Sequence, residues 1–528
     1  MKSRLISSII MGLMTINVVV AADNASQRPK LVVGIVVDQL RTDYIEYLQS
    51  LFGEKGFRRL MEKGVFVSDL DFNADLRDAA SATALLYTGA FPAVNGIAGP
   101  ETLQADNATI VPTLIDLNSM GNFTRESLSP INLRLSTISD EVAIDGDGLT
   151  SVYAIAPDPQ QAIIMAGHAG NCALWINDAD GQWSSTAWYR DFPQFISRRN
   201  RTTPLHKQLD SIRWTPMLRP ELYPGLPATR GEYGFRHTFL DSGRDLYSRF
   251  KKSAPVNREV TDVAIDALRE LSLGKRPDGI DMLSIGYTAA PWAYAKEGDG
   301  RMELQDTYVR LDSQLGRLLD AIDAQVGLEN SVIFLSSTGY FNDPSAPAAE
   351  FRIPGGDISL KRVESLLNSY LTAKYGNADY VRKVFGNQIY LDHKALAAKT
   401  PDINPAIADA RDFIVRMSGI SDARTLGEIL SDLTEEGARI RNSIDPKNAG
   451  DIFLTYTPGW NVVDDTRYPS TVSHQRSATA ATPFFLMAPG IAPAKIVTPV
   501  RAVNIAPTIT STIHIRAPNG ATGRPVDF

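Results

Sequence analysis

Leu31-Val-Val-Gly-Ile-Val-Val37, followed at once by Asp38, is the stretch that decides the fold. Seven residues are too few for a typical helix, and the run is dominated by β-branched side chains. It leaves no polar residue for a solvent-facing side. A strand of this kind is buried on both faces, which requires helices above and below its sheet. Its carboxyl end delivers an acid, Asp38.

Working outward, the same signature returns in Asp281–Tyr287 (DMLSIGY), Ser331–Leu335 (SVIFL) and Pro483–Met487 (PFFLM). Helical patterns fall between them. Gly56–Lys63 places Phe57, Leu60 and Met61 on one face, and Glu303–Gln325 repeats Leu304, Val309, Leu311, Leu315, Leu318 and Leu319 at helical spacing. Asp78–Tyr87 (DAASATALLY) reads as a small-residue helix stopped by Gly89, and Val503–Thr512 as a closing helix. Strands alternating with helices predict an α/β fold, a doubly wound, mostly parallel sheet with helices on both faces. Ligands in such folds sit at the carboxyl ends of strands. Asp38 and the stretches after Tyr287 and Leu335 lie there. Residues 178–252, rich in Trp, Tyr, Arg and Pro, are expected to form an inserted cap over those ends within one domain spanning 30–528.

The 528 residues, 44% hydrophobic and 21% charged, can build a large core. A net charge of −7 argues against nucleic acid as a partner. Lys2 and Arg4, the apolar stretch Leu5–Val20 and the small residues Ala21-Ala22 read as an export signal over 1–22, cleaved after Ala21 or Ala22. The alternative, a membrane anchor, needs a longer span. No second long apolar run occurs, so no transmembrane segment is expected after cleavage, and the expected location is a bacterial periplasm or the exterior. Cys172 is the sole cysteine, which excludes an intrachain disulfide. Asn107 and Asn122 match the glycosylation triplet, a pattern common by chance.

Five stretches together carry a resemblance. They are VGIVVDQLRTDY (33–44), LLYTGAFPAVNGIAG (85–99), AIIMAGHAGNCALWIND (162–178), LQDTYVRLDSQLGRLLDAID (304–323) and the tail from Ala506 to Val526. With these the chain resembles the alkaline phosphatase superfamily, and within it the bacterial periplasmic phosphatases with a threonine nucleophile, which are similar to nucleotide pyrophosphatases. The resemblance implies two zinc ions about 4 Å apart that clamp a phosphoryl group. Each would be held by Asp and His side chains from the ends of separate strands.

Carried over residue by residue, the resemblance finds most of that chemistry missing. The first ligand is present as Asp38. The nucleophile position holds Ala79. The Asp and His after the second strand correspond to Pro291 and Ala295, those after the third to Thr338 and Gly339, and the last His to Ala481. The phosphate-contacting Asn corresponds to Pro100, and the Lys and Arg partners to Asp158 and Gln160. Between His237 and His393 there is no histidine, so a small shift of register cannot restore the ligands. The expected cofactor complement is therefore none, although the family uses two zinc ions.

Several residues could rescue or refill such a site. Asp38, Asp43 and Asp78 could hold a hard cation through oxygens, and Asp38 alone could be a remnant or a structural acid. Ser81 and Thr83 share the helix of Ala79, but Ser81 lies about 200° around it and reads as a packing residue. Arg77 and Asp78 could pair across the vacated space, or Asp78 could simply be a first-turn acid. His474 could reach the site if its loop moved, or could be an ordinary surface or hydrogen-bonded histidine; His168 reads as structural or as a support behind the site, and Asp464–Arg467 as a solvated loop. Trp175, Trp183, Trp188, Tyr189 and Trp214 offer aromatic surface of the sort enriched at interfaces, or else the core of the cap. The functional expectation is an exported pseudophosphatase, acting as a binding or scaffold module with an unknown protein partner in the cell envelope. The alternatives are a phosphoester hydrolase with a non-standard site and a subunit of a larger envelope assembly.

Overall fold

The computed structural model describes residues 28–104, 108–226, 234–239, 243, 245–294, 300–341, 355–467, 471–474 and 480–528. The expected signal, 1–22, and Ala295 lie outside them. Ten strands form the central sheet: β1 (Leu31–Asp38), β2 (Val65–Val67), β3 (Gly121–Asn122), β4 (Val152–Ile155), β5 (Cys172–Ile176), β6 (Trp183–Thr186), β7 (Asp281–Thr288), β8 (Ser331–Ser337), β9 (Phe484–Met487) and β10 (Ala494–Ile496). Their order is β10-β2-β9-β8-β1-β7-β4-β5-β6-β3. The middle five, β8 to β5, run parallel, and β9 joins β8 antiparallel. The sheet is thus mixed, with the parallel centre that the apolar runs predict.

Residues 31–37 are buried, and their side chains divide between two cores. Val33, Ile35 and Val37 face one, with Leu304, Leu311 and Leu315 of the helix Arg301–Gln325. Val32 and Val36 face the other, with Ala82, Leu85 and Leu86 of the helix Ala79–Thr88. This is the period-2 alternation of a strand covered on both sides. Gly34 is required by close approach: a Cβ there would lie 2.5 Å from the Phe334 ring and the Tyr87 hydroxyl. The small-residue helix begins one residue later than expected, because Asp78 is its N-cap, and it ends on Gly89 in the left-handed region (φ 66°).

Among its described residues, the stretch 178–252 has no separate core. Trp183, Phe195, Trp214, Phe239 and Phe250 pack into the core on the Val33 face, and β6 is part of the central sheet. Trp175, Trp183, Trp214 and Tyr189 are buried and Trp188 is 36% exposed, so these aromatics are mostly core. The separately cored unit lies elsewhere. Residues 357–464 gather Leu367, Leu371, Val384, Ile389 and Ile452 into their own cluster, around a four-stranded sheet and the helices Leu360–Tyr375 and Asn404–Ile414. Its half-buried strands, such as Val381–Phe385 (VRKVF), lack the uniform apolar run that reveals the central sheet. Arg134 ties this module to the main body with a bidentate pair to Asp445 (2.9 and 2.7 Å). Among the described residues, no helix is long and apolar enough to cross a membrane.

Candidate functional site

Asp38 ends β1 beside Thr288 of β7, and Thr338 follows β8 directly. The parallel register therefore brings residues 300 apart in sequence to one point. The Thr338 hydroxyl donates to Asp38 Oδ1 at 3.0 Å, and the Tyr340 hydroxyl donates to the same oxygen at 2.7 Å. Gln39 donates its side-chain amide to Oδ2 (3.3 Å) and its backbone N–H to Thr338 Oγ1 (2.9 Å). Gln39 adopts φ 59°, a left-handed conformation that costs a non-glycine residue energy and persists only where surroundings impose it. Burial pushes the Asp38 carboxyl above its ordinary range; the hydroxyls of Tyr340 and Thr338 and the Gln39 amide oppose that push. The Tyr340 phenol is raised further still, by burial and then by the adjacent carboxylate.

The neighbouring positions are filled as well. Gly339 has φ 74°, and a Cβ built on it would overlap the ring of Phe72, which is itself buried. An imidazole at 339 would have to displace that ring. Pro291 is buried, Ala481 is exposed, and the Ala481 carbonyl accepts from Thr42 N–H at 3.0 Å. Ala79 opens its helix behind Asp78.

Asp78 does not pair with Arg77. Its Oδ1 accepts from Ser81 N–H (2.8 Å) and its Oδ2 from the Ser81 hydroxyl (2.6 Å), while the Arg77 guanidinium is exposed and pairs with Asp75 (2.8 Å). Capping a helix N-terminus takes both carboxylate oxygens locally, which decides between the two expectations. Burial raises the Asp78 carboxyl, the bonds from Ser81 counter this, and the charge of Asp158 adds to the rise. Thr83 is buried within the helix packing. Asp43 is engaged by Arg41 and by the N–H of Tyr44, so it does not join Asp38 and Asp78 around a cation. Asp158 caps the helix Pro159–Ala166, and Gln160 donates to the carbonyl of Pro100. His474 sits in the strand Thr471–His474 with its backbone opposite Asn461; its side chain lies outside the described atoms.

Among the described residues no three His, Cys, Asp or Glu side chains converge as a metal site would require. One carboxylate ringed by hydroxyls and an amide is not the donor set of a zinc site. His168 is held at its backbone and at both ring nitrogens. Its backbone N–H donates to Asp140 Oδ1 (2.6 Å), Nδ1 lies 3.2 Å from Asp140 Oδ2, and Nε2 lies 2.8 Å from the Leu133 carbonyl.

In front of this face lies a cleft of about 940 Å³, walled by Asp78, Ser81 and Pro100 on one side and by Phe385, Tyr390 and Asn448 of the module on the other. Asp464–Arg467 is no free loop. Asp464 is buried, and Arg467 binds both Asp464 (2.9 Å) and Glu101 (3.0 and 2.8 Å) across the cleft wall. Sequence reasoning missed Tyr340, Phe72 and the module wall. Tyr340, two residues past the third-strand position, was the nearest signal available.

Residues 32–480 match the family described as type I phosphodiesterase / nucleotide pyrophosphatase. The chain belongs to that family. Over 96% of each chain it is 28% identical to a Myroides odoratus protein named calcium-transporting ATPase. Over 98% of each chain it is 25% identical to alkaline phosphatase PafA of Elizabethkingia meningoseptica. The crystal structure of wild-type PafA superposes with a TM-score of 0.82 at 24% identity, covering 95% of this chain and 99% of that one. The two relatives carry different functional names, and each name describes that relative. The family and the shared fold place this chain in the alkaline phosphatase superfamily, among phosphoesterase-like proteins.

Proposed function

We propose that this chain is an exported member of the superfamily that has given up two-zinc phosphoryl transfer and works as a binding or scaffold module in the cell envelope. The observation that carries the reading is the refilled centre. Asp38 is occupied by Thr338 and Tyr340, and the Phe72 ring stands where a side chain at 339 would go. Losing only the groups that orient the ligands weakens a metal site by roughly 10–100-fold. Here the positions carried over from the resemblance as nucleophile and ligands themselves hold Ala79, Pro291, Thr338, Gly339 and Ala481. The retained framework, and the cleft in front of it, support use of the fold for recognition.

The rival reading, a phosphoester hydrolase with a non-standard site, draws on the short Ser81–Asp78 contact at the cleft wall. That contact also caps the helix, which accounts for it without catalysis. The deciding experiment is elemental analysis of the mature protein after zinc loading, with phosphomonoester and phosphodiester assays on the same sample. No bound zinc and no turnover is the expected result. Two zinc ions per chain, with turnover abolished by Asp38→Asn, would sink the proposal; metal-free turnover lost in Ser81→Ala would establish its rival.

A further inference from the structure

The cleft carries a specific charge pattern. Among the described residues, four arginines line it, Arg77, Arg134, Arg439 and Arg467, against six carboxylates and no lysine. Three of the arginines are already paired. Arg134 grips Asp445 through two bonds, Arg467 joins Glu101 and Asp464, and Arg77 holds Asp75. Only Arg439, on the exposed rim, makes no ion pair among the described residues. The family's phosphate-binding Lys and Arg correspond to Asp158 and Gln160. Among the described lining residues, an anionic ligand would therefore meet more carboxylates than arginines without an ion pair.

What the cleft does offer is aromatic faces and planar polar groups. Phe385 and Tyr390 are half-buried in the wall, and Arg467 lies over the Phe385 ring at 5.9 Å. Tyr390 donates to the Asn448 carbonyl (3.1 Å), and the Asn448 amide donates to Asp445 (2.7 Å). Asn387 and Gln388 stand beside them. Glu101, whose two oxygens each take one bond from Arg467, keeps lone pairs for hydroxyl donors, whereas the Asp445 oxygens are filled by Arg134, the Lys447 N–H and the Asn448 amide; side-chain amides both donate and accept. Aromatic faces take the C–H surfaces of saturated rings. The volume, about 940 Å³, lies near the top of the roughly 300–1,000 Å³ range of small-ligand clefts.

We propose that this cleft binds a neutral polyhydroxylated ligand, an oligosaccharide chain, through Phe385, Tyr390, Asn387 and the Arg467–Glu101 pair. The proposal rests on the reading of the centre as non-catalytic, and it names the ligand class of the same face. The test is calorimetric titration of the mature protein with neutral hexasaccharides (maltohexaose, cellohexaose and chitohexaose), and with inorganic phosphate and AMP. At least one hexasaccharide is expected to bind, and neither anion should displace it. Phe385→Ala and Tyr390→Ala should each weaken binding by about tenfold. Near-UV circular dichroism and the gentler Tyr390→Phe control for folding. No hexasaccharide binding, displacement by phosphate or AMP, or unchanged affinity in both folded alanine variants would overturn the proposal. Zinc content and phosphoester turnover of the same preparation keep the two readings apart. Bound zinc with turnover defeats the non-catalytic reading whatever the sugars do, whereas an inert, metal-free protein that ignores the sugars defeats only the ligand assignment.

Discussion

Two aspartates in this molecule meet opposite fates. Asp140, 2% exposed, gathers the backbone N–H groups of Thr137, His168 and Ala169, the Thr137 hydroxyl and the His168 ring. Burial works against its charge, but the His168 ring and those N–H groups hold its carboxyl below the ordinary range. His168 is raised in turn: burial opposes its charge, and the Asp140 carboxylate outweighs that. Asp38 receives two hydroxyls and one long amide bond, and burial wins. The first is an ion the fold is built around. The second is an acid that the fold accommodates without a compensating cation among the described residues. The difference teaches that a buried carboxylate is favoured as an ion where backbone N–H groups and an imidazole converge on it, and disfavoured where only hydroxyls and one long amide bond reach it.

The sharpest way to break the comparison is Asp140→Ala. It leaves the N–H groups of Thr137, His168 and Ala169 without their acceptor, and should cost about 3–5 kcal/mol in urea unfolding at pH 7. Because the folded pKa of Asp140 is depressed, its contribution is present above the unfolded value near 3.9 and lost as pH falls through the folded value. The gap between variant and wild type should therefore narrow only below about pH 4. A loss under 1 kcal/mol at pH 7 would mean the knot is not structural.

Tyr340→Phe is the intermediate case. It removes one of two hydroxyls from Asp38 Oδ1, and should cost about 1–2 kcal/mol at pH 8 and less near pH 4, where a protonated Asp38 needs the donor less. An equal cost at both pH values would separate Tyr340 from the ionisation of Asp38.

The smallest effect carries the opposite sign. The folded pKa of Asp38 is raised, so its stabilising contribution is present below the unfolded value near 3.9 and lost as pH rises through the folded value. Asp38→Asn keeps the acceptor and discards the charge. Its unfolding midpoint at pH 8 should exceed that of wild type by on the order of 1 kcal/mol, with the advantage vanishing towards pH 4. A strong destabilisation at pH 8 would show that Asp38 is held as an ion after all.

Much of the main body was legible in the chain itself. The run 31–37 announces a strand covered on both faces because no residue in it tolerates water, and its neighbours at 281–287 and 331–335 follow by the same argument. The absence of histidine between 237 and 393 is a fact of the sequence that no folding can alter. The module over 357–464 was not legible, because half-buried strands mix polar and apolar residues and its core forms only when helices close on it. Nor was the fate of Asp38. Which group takes a carboxylate depends on distances between residues remote in sequence, and only the parallel register of β1 beside β8 delivers Thr338 and Tyr340 to it. The chain determined what could not be present at the strand ends; the tertiary structure decided what fills them, because hydrogen bonding and packing are settled in space and not along the sequence.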